Sequence, residues 1–197
     1  MFRKILVANR GAIAIRIMRT LRRMGIASVA VYSEADAGAL HAGAGDEALL
    51  VGGPAPADSY LDVDRILEAA HRTGAEAIHP GYGFLAENAD FATRCEGAGI
   101  AFIGPTPEQM RSFGLKHLAR ALASKAGVPL LPGTELLKGI TQARRAAKRI
   151  GYPVMLKSTA GGGGIGMRRC ADGRELGAAF DAVVRLAESH FKQAGCY

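Results

Sequence analysis

The sequence predicts an α/β protein, with a domain on a largely parallel sheet followed by part of an α+β domain. Three observations carry this. Short apolar runs alternate with helix-period stripes through about residue 104, the pattern of strand–helix–strand units. Beyond Phe113-Gly114 the pattern changes to two helices around a proline-broken extended stretch, Val128–Gly133. Finally, five glycines in the six residues Gly161–Gly166 sit between two short apolar segments. That placement reads as a strand–loop–strand turn and not as a tether.

The elements follow in order. Lys4–Ala8 is an apolar run ended by Asn9-Arg10-Gly11. Ile13, Ile17, Leu21 and Met24 then form one helical stripe, with arginines opposite and Gly25 at the helix end. Ala27–Tyr32 is the second strand, so the first unit requires parallel pairing through a right-handed crossover. Ala48–Val51 is a third strand. Ser59 is read as capping a helix with the stripe Val63, Ile66, Leu67 and Ala70, closed by Gly74. Ala75–His79 is a strand, Pro80–Asn88 a turn, and Phe91, Ala92 and Cys95 mark a helix. After the strand Ile100–Ile103, Thr106-Pro107-Glu108-Gln109 has the form of a capping box with proline at the first helical position.

In the second part, Leu115, Leu118, Leu122 and Ala126 lie on a helix ended by Gly127, and another helix precedes Gly151. Tyr152–Leu156 and Met167–Cys170 are the strands flanking the glycines. Asp172-Gly173-Arg174-Glu175 caps a last helix with the stripe Leu176, Phe180, Val183 and Ala187. The domains expected are 1–114 and 115–197.

The totals narrow the function. With 197 residues, 49% apolar and 22% charged, the chain has the composition of a globular protein. No apolar run approaches the ~20 residues of a membrane span, and Met1–Ala8 is too short for a secretory signal, so no membrane role is expected. Three scattered cysteines without a C-x-x-C point to reduced thiols and a cytoplasmic location. The net charge is +7, with basic clusters at Arg16, Arg19, Arg22, Arg23 and at Arg144, Arg145, Lys148, Arg149. No aromatic residues are interleaved for base stacking and tryptophan is absent, so no nucleic-acid partner is expected. A cationic field still favours an anionic substrate.

Among motifs, the first βα turn holds one glycine, Gly11, and lacks the dinucleotide fingerprint G-x-G-x-x-G. Asn9 is read as a helix cap. His79, Gly81, Gly83 and Glu87 fall in a loop at the carboxyl end of a parallel strand, where open α/β sheets bind ligands. That loop reads equally well as a ligand-edge loop or as a structural turn with His79 bonded to backbone. The glycine run offers exposed amides suited to phosphate, and Lys157 adds a charge beside them. In a Walker loop the lysine follows the glycines and opens a helix, so that motif is absent. By itself Lys116 reads as a surface lysine.

Together these segments resemble the biotin carboxylase family of the ATP-grasp superfamily. The matching stretches are ILVANRGAIAIRI (5–17), VAVYSEADAGALH (29–41), SYLDVDRIL (59–67), AIHPGYGFLAENADFA (77–92), FIGPTPEQM (102–110), AGVPLLPGT (126–134) and GYPVMLKSTAGGGGIGM (151–167). They run in family order over nearly the whole chain. The resemblance implies a Rossmann-like N-domain and a partial ATP-grasp subdomain. It also implies an enzyme, a ligase that uses ATP and bicarbonate to form carboxyphosphate and carboxylates biotin on a carrier domain. By the family pattern Lys116 and Lys157 contact the nucleotide phosphates, while Gly161, Gly162, Gly163, Gly164, Gly166 and Met167 close over them. The implied partners are ATP, bicarbonate, the biotin carrier domain, the C-terminal part of the carboxylase, and a second copy through the N-domain. The family's Mg2+ ligands and catalytic residues match nothing up to residue 197, so no catalytic or metal residue is assigned and the isolated chain is expected to be inactive.

A narrower likeness, at 113–117, 131–137 and 154–160, is to the urea carboxylase branch, in which the acceptor is urea. The alternatives are an acyl-CoA or pyruvate carboxylase, or a non-catalytic module that pairs with the missing half. Ala12 stands where the family usually has glutamate and Ala86 where it usually has serine. Gly43-Ala44-Gly45 replaces a stretch that is commonly less glycine-rich.

Overall fold

Near-continuous burial along the central strands builds the first half of the protein. In the computed structural model, which describes residues 1–159, 166–191 and 195–197, the chain forms two units, Met1–Arg111 and Ser112–Tyr197. Gly114, the last residue of the expected N-domain, ends the helix in which this division falls. No helix among the described residues is long and apolar enough to cross a membrane.

Unit 1 contains β1 (Lys4–Val7), α1 (Gly11–Arg23), β2 (Ala27–Ser33), β3 (Glu47–Gly52), α2 (Val63–Thr73), β4 (Ala77–His79), α3 (Ala89–Gly97) and β5 (Ala101–Phe102). The sheet order is β3-β2-β1-β4-β5 and every pairing is parallel, the α/β architecture expected. Period-two alternation sends neighbouring residues of one strand to opposite faces. Ile5, Val7, Ala30 and Ala77 pack with Ala14, Ile17, Met18 and Leu21 of α1. Leu6, Val29, Val31 and Ile78 pack with Ile66, Leu67 and Ala70 of α2 and Phe91 and Cys95 of α3. Helices on both faces bury the central strands of a parallel sheet, while the edge strand β3 stays largely exposed.

The helix ends correct several expectations. Met24 is not on the buried stripe but is the C-cap residue, 53% exposed, because the helix stops one residue earlier and Gly25 turns the chain at φ +70°. Asp62, not Ser59, caps α2 by accepting from Arg65 N–H at 3.1 Å. Ser59 instead donates to Ala55 O. Asn88 caps α3 through Phe91 N–H, a signal that the pattern of an amide side chain before an apolar run could have supplied. The capping box is present: Thr106 N–H donates to Gln109 Oε1 at 2.9 Å, and Gln109 N–H to Thr106 Oγ1 at 3.2 Å. It opens α4 (Pro107–Gly114).

Unit 2 contains α5 (Lys116–Lys125), α6 (Ile140–Ile150), β6 (Val154–Lys157), β7 (Met167–Cys170) and α7 (Gly173–Phe191). β6 and β7 pair antiparallel, as expected. Asp172 caps α7, accepting from Arg174 and Glu175 N–H at 2.8 and 2.9 Å. Ala143, Ala146 and Ala147 of α6 and Leu176, Phe180 and Val183 of α7 bury Leu156 and Cys170 on one face of the hairpin. The side chain of Ala187 lies outside the described residues. Gly195–Tyr197 runs beside β6: Tyr197 N–H donates to Lys157 O at 2.9 Å, Lys157 N–H to Tyr197 O at 3.0 Å, and Thr159 N–H to Gly195 O at 3.0 Å. Leu137 N–H donates to Cys196 O on the far side. The expected stripe of α5 is not buried. Leu118 and Leu122 are each 40% exposed and no α5 residue enters the core.

Charge divides unevenly. Ser112–Tyr197 carries fourteen Lys and Arg against five Asp and Glu, whereas Met1–Arg111 carries eleven against thirteen. The cationic excess therefore belongs entirely to unit 2.

Candidate nucleotide site

The site-edge loop of unit 1 forms where the strand order reverses, between β1 and β4, the usual ligand crevice of an open α/β sheet. Asn9 is buried there and is not a helix cap. Its Nδ2 donates to Pro80 O and Tyr82 O, both at 2.8 Å, and its Oδ1 accepts from Arg10 N–H. One amide thus ties the β1–α1 turn to the β4–α3 loop. Gly81 sits at φ +67°, and a Cβ there would lie 2.7 Å from Asn9 Nδ2, so glycine is required twice over. His79 Nδ1 accepts from Gly81 N–H at 3.1 Å, and burial lowers its pKa, which keeps the accepting nitrogen neutral. Gly83, at φ +65°, and Glu87 are exposed. A cleft of about 360 Å³ is lined by Asn9, Arg10, Ala12, Tyr82 and Phe84.

Asn9→Ala removes both ties and orphans buried carbonyls, which costs about 2 kcal/mol, and Gly81→Ala adds a clash of similar size. Each variant is expected to lower the melting temperature of unit 1 by several degrees in a thermal denaturation scan. An unchanged melt for both would refute the tie.

Beside this loop lies a cluster that spacing does not reveal. Asp36, buried, accepts from Arg10 Nε at 2.6 Å, from a second Arg10 nitrogen, from Tyr60 OH at 2.6 Å and from Ser33 Oγ at 3.3 Å. Ser33 N–H donates to Tyr60 OH, and Phe84 stacks on Tyr60 at 5.1 Å. The Arg10 guanidinium holds the Asp36 carboxyl well below the usual carboxylate range, against the opposing pull of burial, with the Tyr60 hydroxyl assisting. Burial, then the Asp36 hydrogen bond, pushes the Tyr60 phenol up.

In unit 2 the predicted phosphate-gripping residues converge on one end of the hairpin. Lys157 is the last residue of β6 and faces Met167, the first of β7. Just beyond, Ser158 N–H donates to Gly166 O at 2.8 Å. Gly166 takes φ +78°, and a Cβ there would collide with Ser158 Oγ. Lys116 opens α5, and its N–H donates to Thr159 O at 3.4 Å, which sets it two residues from Lys157 along the same backbone. Gly161, Gly162, Gly163 and Gly164 lie outside the described residues.

The ladder also defines an outer face. Met155 faces Arg169 and Lys157 faces Met167. These four share the side opposite the core residues Leu156 and Cys170, and both methionines are exposed. A cavity of about 470 Å³ opens along β6, lined by Met155 and Lys157 of the outer face together with Leu156, Ala143 and Leu176 of the core side and Arg120. A lysine and an apolar platform suit a nucleotide: a cation for phosphate, methionine for a base. No cluster of His, Cys, Asp or Glu among the described residues could hold a metal ion.

Comparison with known proteins agrees with this geometry. Residues 1–110 match the model of the biotin carboxylase N-terminal domain, and residues 116–197 match that of the carbamoyl-phosphate synthase L chain ATP binding domain. The chain is 48% identical to a putative urea carboxylase of Emericella nidulans, covering 98% of this chain and 16% of that protein. It is 52% identical to a pyruvate carboxylase subunit of Methanothermobacter thermautotrophicus, covering 100% of this chain and 40% of that one. Among solved structures, the biotin carboxylase domain dimer of Hydrogenobacter thermophilus 2-oxoglutarate carboxylase, in complex with MgADP, ADP and bicarbonate, superposes with a TM-score of 0.94 at 46% identity. That match covers all of this chain and 43% of the solved one. The chain thus spans less than half the length of each of these relatives. It belongs to the biotin carboxylase family.

Proposed function

We propose that this chain supplies the ATP-phosphate grip of a biotin carboxylase, which uses ATP and bicarbonate to carboxylate biotin held on a carrier domain. The observation that carries the reading is the convergence of Lys157, Lys116 and the Ser158–Gly166 clasp at one end of the hairpin, in the unit that holds the whole cationic excess. In this reading 1–114 is the N-domain and 115–197 the nucleotide-gripping subdomain. Gly161–Gly164, Gly166 and Met167 close over the phosphates. His79, Gly81, Gly83 and Glu87 form a ligand-edge loop of the N-domain itself, and a second copy pairs through the N-domain. The three buried thiols accord with a reducing, cytoplasmic setting.

Phosphoryl transfer is mainly positioning and charge stabilisation. Lys116 and Lys157 would neutralise phosphate oxygens, while the glycine run would close over them. The described residues do not provide a carboxylate set for Mg2+, so we assign that role to the remainder of the carboxylase. We propose urea as the carboxyl acceptor on the motif likeness at 113–117, 131–137 and 154–160; pyruvate is the second reading, favoured by the 52% identity above.

The chain is expected to bind MgATP yet release no phosphate in response to bicarbonate. Adding the separately made C-terminal portion of a biotin carboxylase should restore release. Bicarbonate-dependent turnover by the chain alone would overturn the division of labour. Failure to bind MgATP would overturn the grip itself.

A further inference from the structure

The hairpin's outer face contains one cation that the phosphate grip does not use. Arg169 is exposed and makes no hydrogen bond or ion pair among the described residues. Its position is set by the ladder. Because Ser158 N–H bonds Gly166 O, the hydrogen-bonded pairs of this antiparallel ladder fall at alternate positions counted from there. Lys157–Met167 and Met155–Arg169 are therefore non-hydrogen-bonded pairs, in which facing side chains stand closest. Arg169 thus lies alongside the Met155 thioether, about 7 Å along the strands from the Lys157–Met167 pair.

A nucleotide held by its phosphates at Lys157 and Gly166 must run its ribose and base one of two ways. Among the described residues no strand continues past the turn. Back along the hairpin lie Met155, Met167 and Arg169, an apolar floor with a planar cation at its edge. The guanidinium is weakly hydrated and stacks on π-systems, and methionine sulfur also favours aromatic faces. We propose that Arg169 stacks on the nucleobase and binds the base end of the nucleotide whose phosphates Lys157 holds. The proposal rests on the nucleotide reading above and adds a base-recognition residue to it. The neighbouring Arg168 provides an internal contrast. It is exposed too, but it faces Leu156 on the opposite side of the hairpin, where no base would lie.

The test uses the full chain, titrated calorimetrically with MgATP and separately with magnesium tripolyphosphate, which has phosphates and no base. Arg169→Ala is expected to weaken ATP about five- to tenfold and to leave tripolyphosphate unchanged. Arg168→Ala should alter neither, and Arg169→Lys should recover little of the loss because the planar group is gone. With 13C-methyl methionine labelling, ATP should shift the Met155 and Met167 resonances by ring current, and less so in Arg169→Ala at equal occupancy. If Arg169→Ala leaves ATP affinity intact while Lys157→Ala weakens both ligands, the base role is wrong and the phosphate grip stands. Equal loss of ATP and tripolyphosphate in Arg169→Ala would make Arg169 a phosphate contact and overturn the proposal. Absence of binding of either ligand to the unaltered chain would overturn the nucleotide reading and this proposal with it.

Discussion

Lys157→Ala is expected to weaken MgATP binding roughly fiftyfold while leaving the chain folded. A charge-assisted hydrogen bond to phosphate contributes about 1.5–3 kcal/mol, and each 1.4 kcal/mol is about a factor of ten in affinity. Lys157 falls near the middle of that range: its backbone is held on one side by two bonds to Tyr197 and faces Met167 on the other, so only its flexible side chain remains to be ordered on binding. The side chain lies on the outer face and contributes nothing to the core of Leu156, Cys170, Leu176 and Phe180. The loss should appear for ATP and tripolyphosphate alike and should shrink as salt is raised, since an exposed cation–phosphate contact is screened. Equilibrium titration at two ionic strengths measures both effects. Unchanged affinity at low salt would remove Lys157 from the grip.

Asp36→Asn should be the most destabilising of the substitutions considered, at about 3 kcal/mol. The carboxylate accepts from Arg10, Tyr60 and Ser33 together. An amide keeps its shape but turns one acceptor into a donor facing the guanidinium, and the buried phenol loses its charged partner. For a unit of this size the melting temperature should fall by about 10 °C or more. The pH dependence follows from the same contacts. Arg10 and Tyr60 hold the folded carboxyl below its unfolded value, so the unfolded chain binds the proton more readily. Stability from this group is complete above the unfolded pKa of about 3.9 and is lost as pH falls below it towards the folded pKa. Asp36→Asn should lack this part of the acid-induced loss. Denaturant midpoints between pH 7 and 3 test it, and parallel slopes for both proteins would count against the network.

What could be read in advance was local. The strands of unit 1 follow from apolar runs such as Ile5–Val7, and the box at Thr106–Gln109 and the Asp172 cap are complete within four residues. The Ser158–Gly166 clasp is legible for the same reason: a hairpin brings its own ends together. The features missed join distant positions. Asn9 has the type of a cap, yet its partners lie in the loop at Pro80 and Tyr82. Arg10, Asp36 and Tyr60 meet only because β1 and β2 are neighbours and the chain after β2 folds back over the sheet edge. Composition alone cannot choose among charged partners. For α5 the stripe predicted the helix correctly but not its burial, because periodicity states which residues share a face and not what covers it. Met24 failed for a smaller reason: one residue of helix length decides whether a stripe's last member points inward.

The pairing of Tyr197 with Lys157 places the finished site late in folding. The hairpin and the helix caps form from short-range contacts, but the segment that locks the backbone of Lys157 comes forty positions later in the sequence. Closing such a loop is an entropic barrier that local structure does not lower. On a growing chain, therefore, the lysine exists long before the segment that locks it, and its backbone is pinned only once Gly195–Tyr197 has been made.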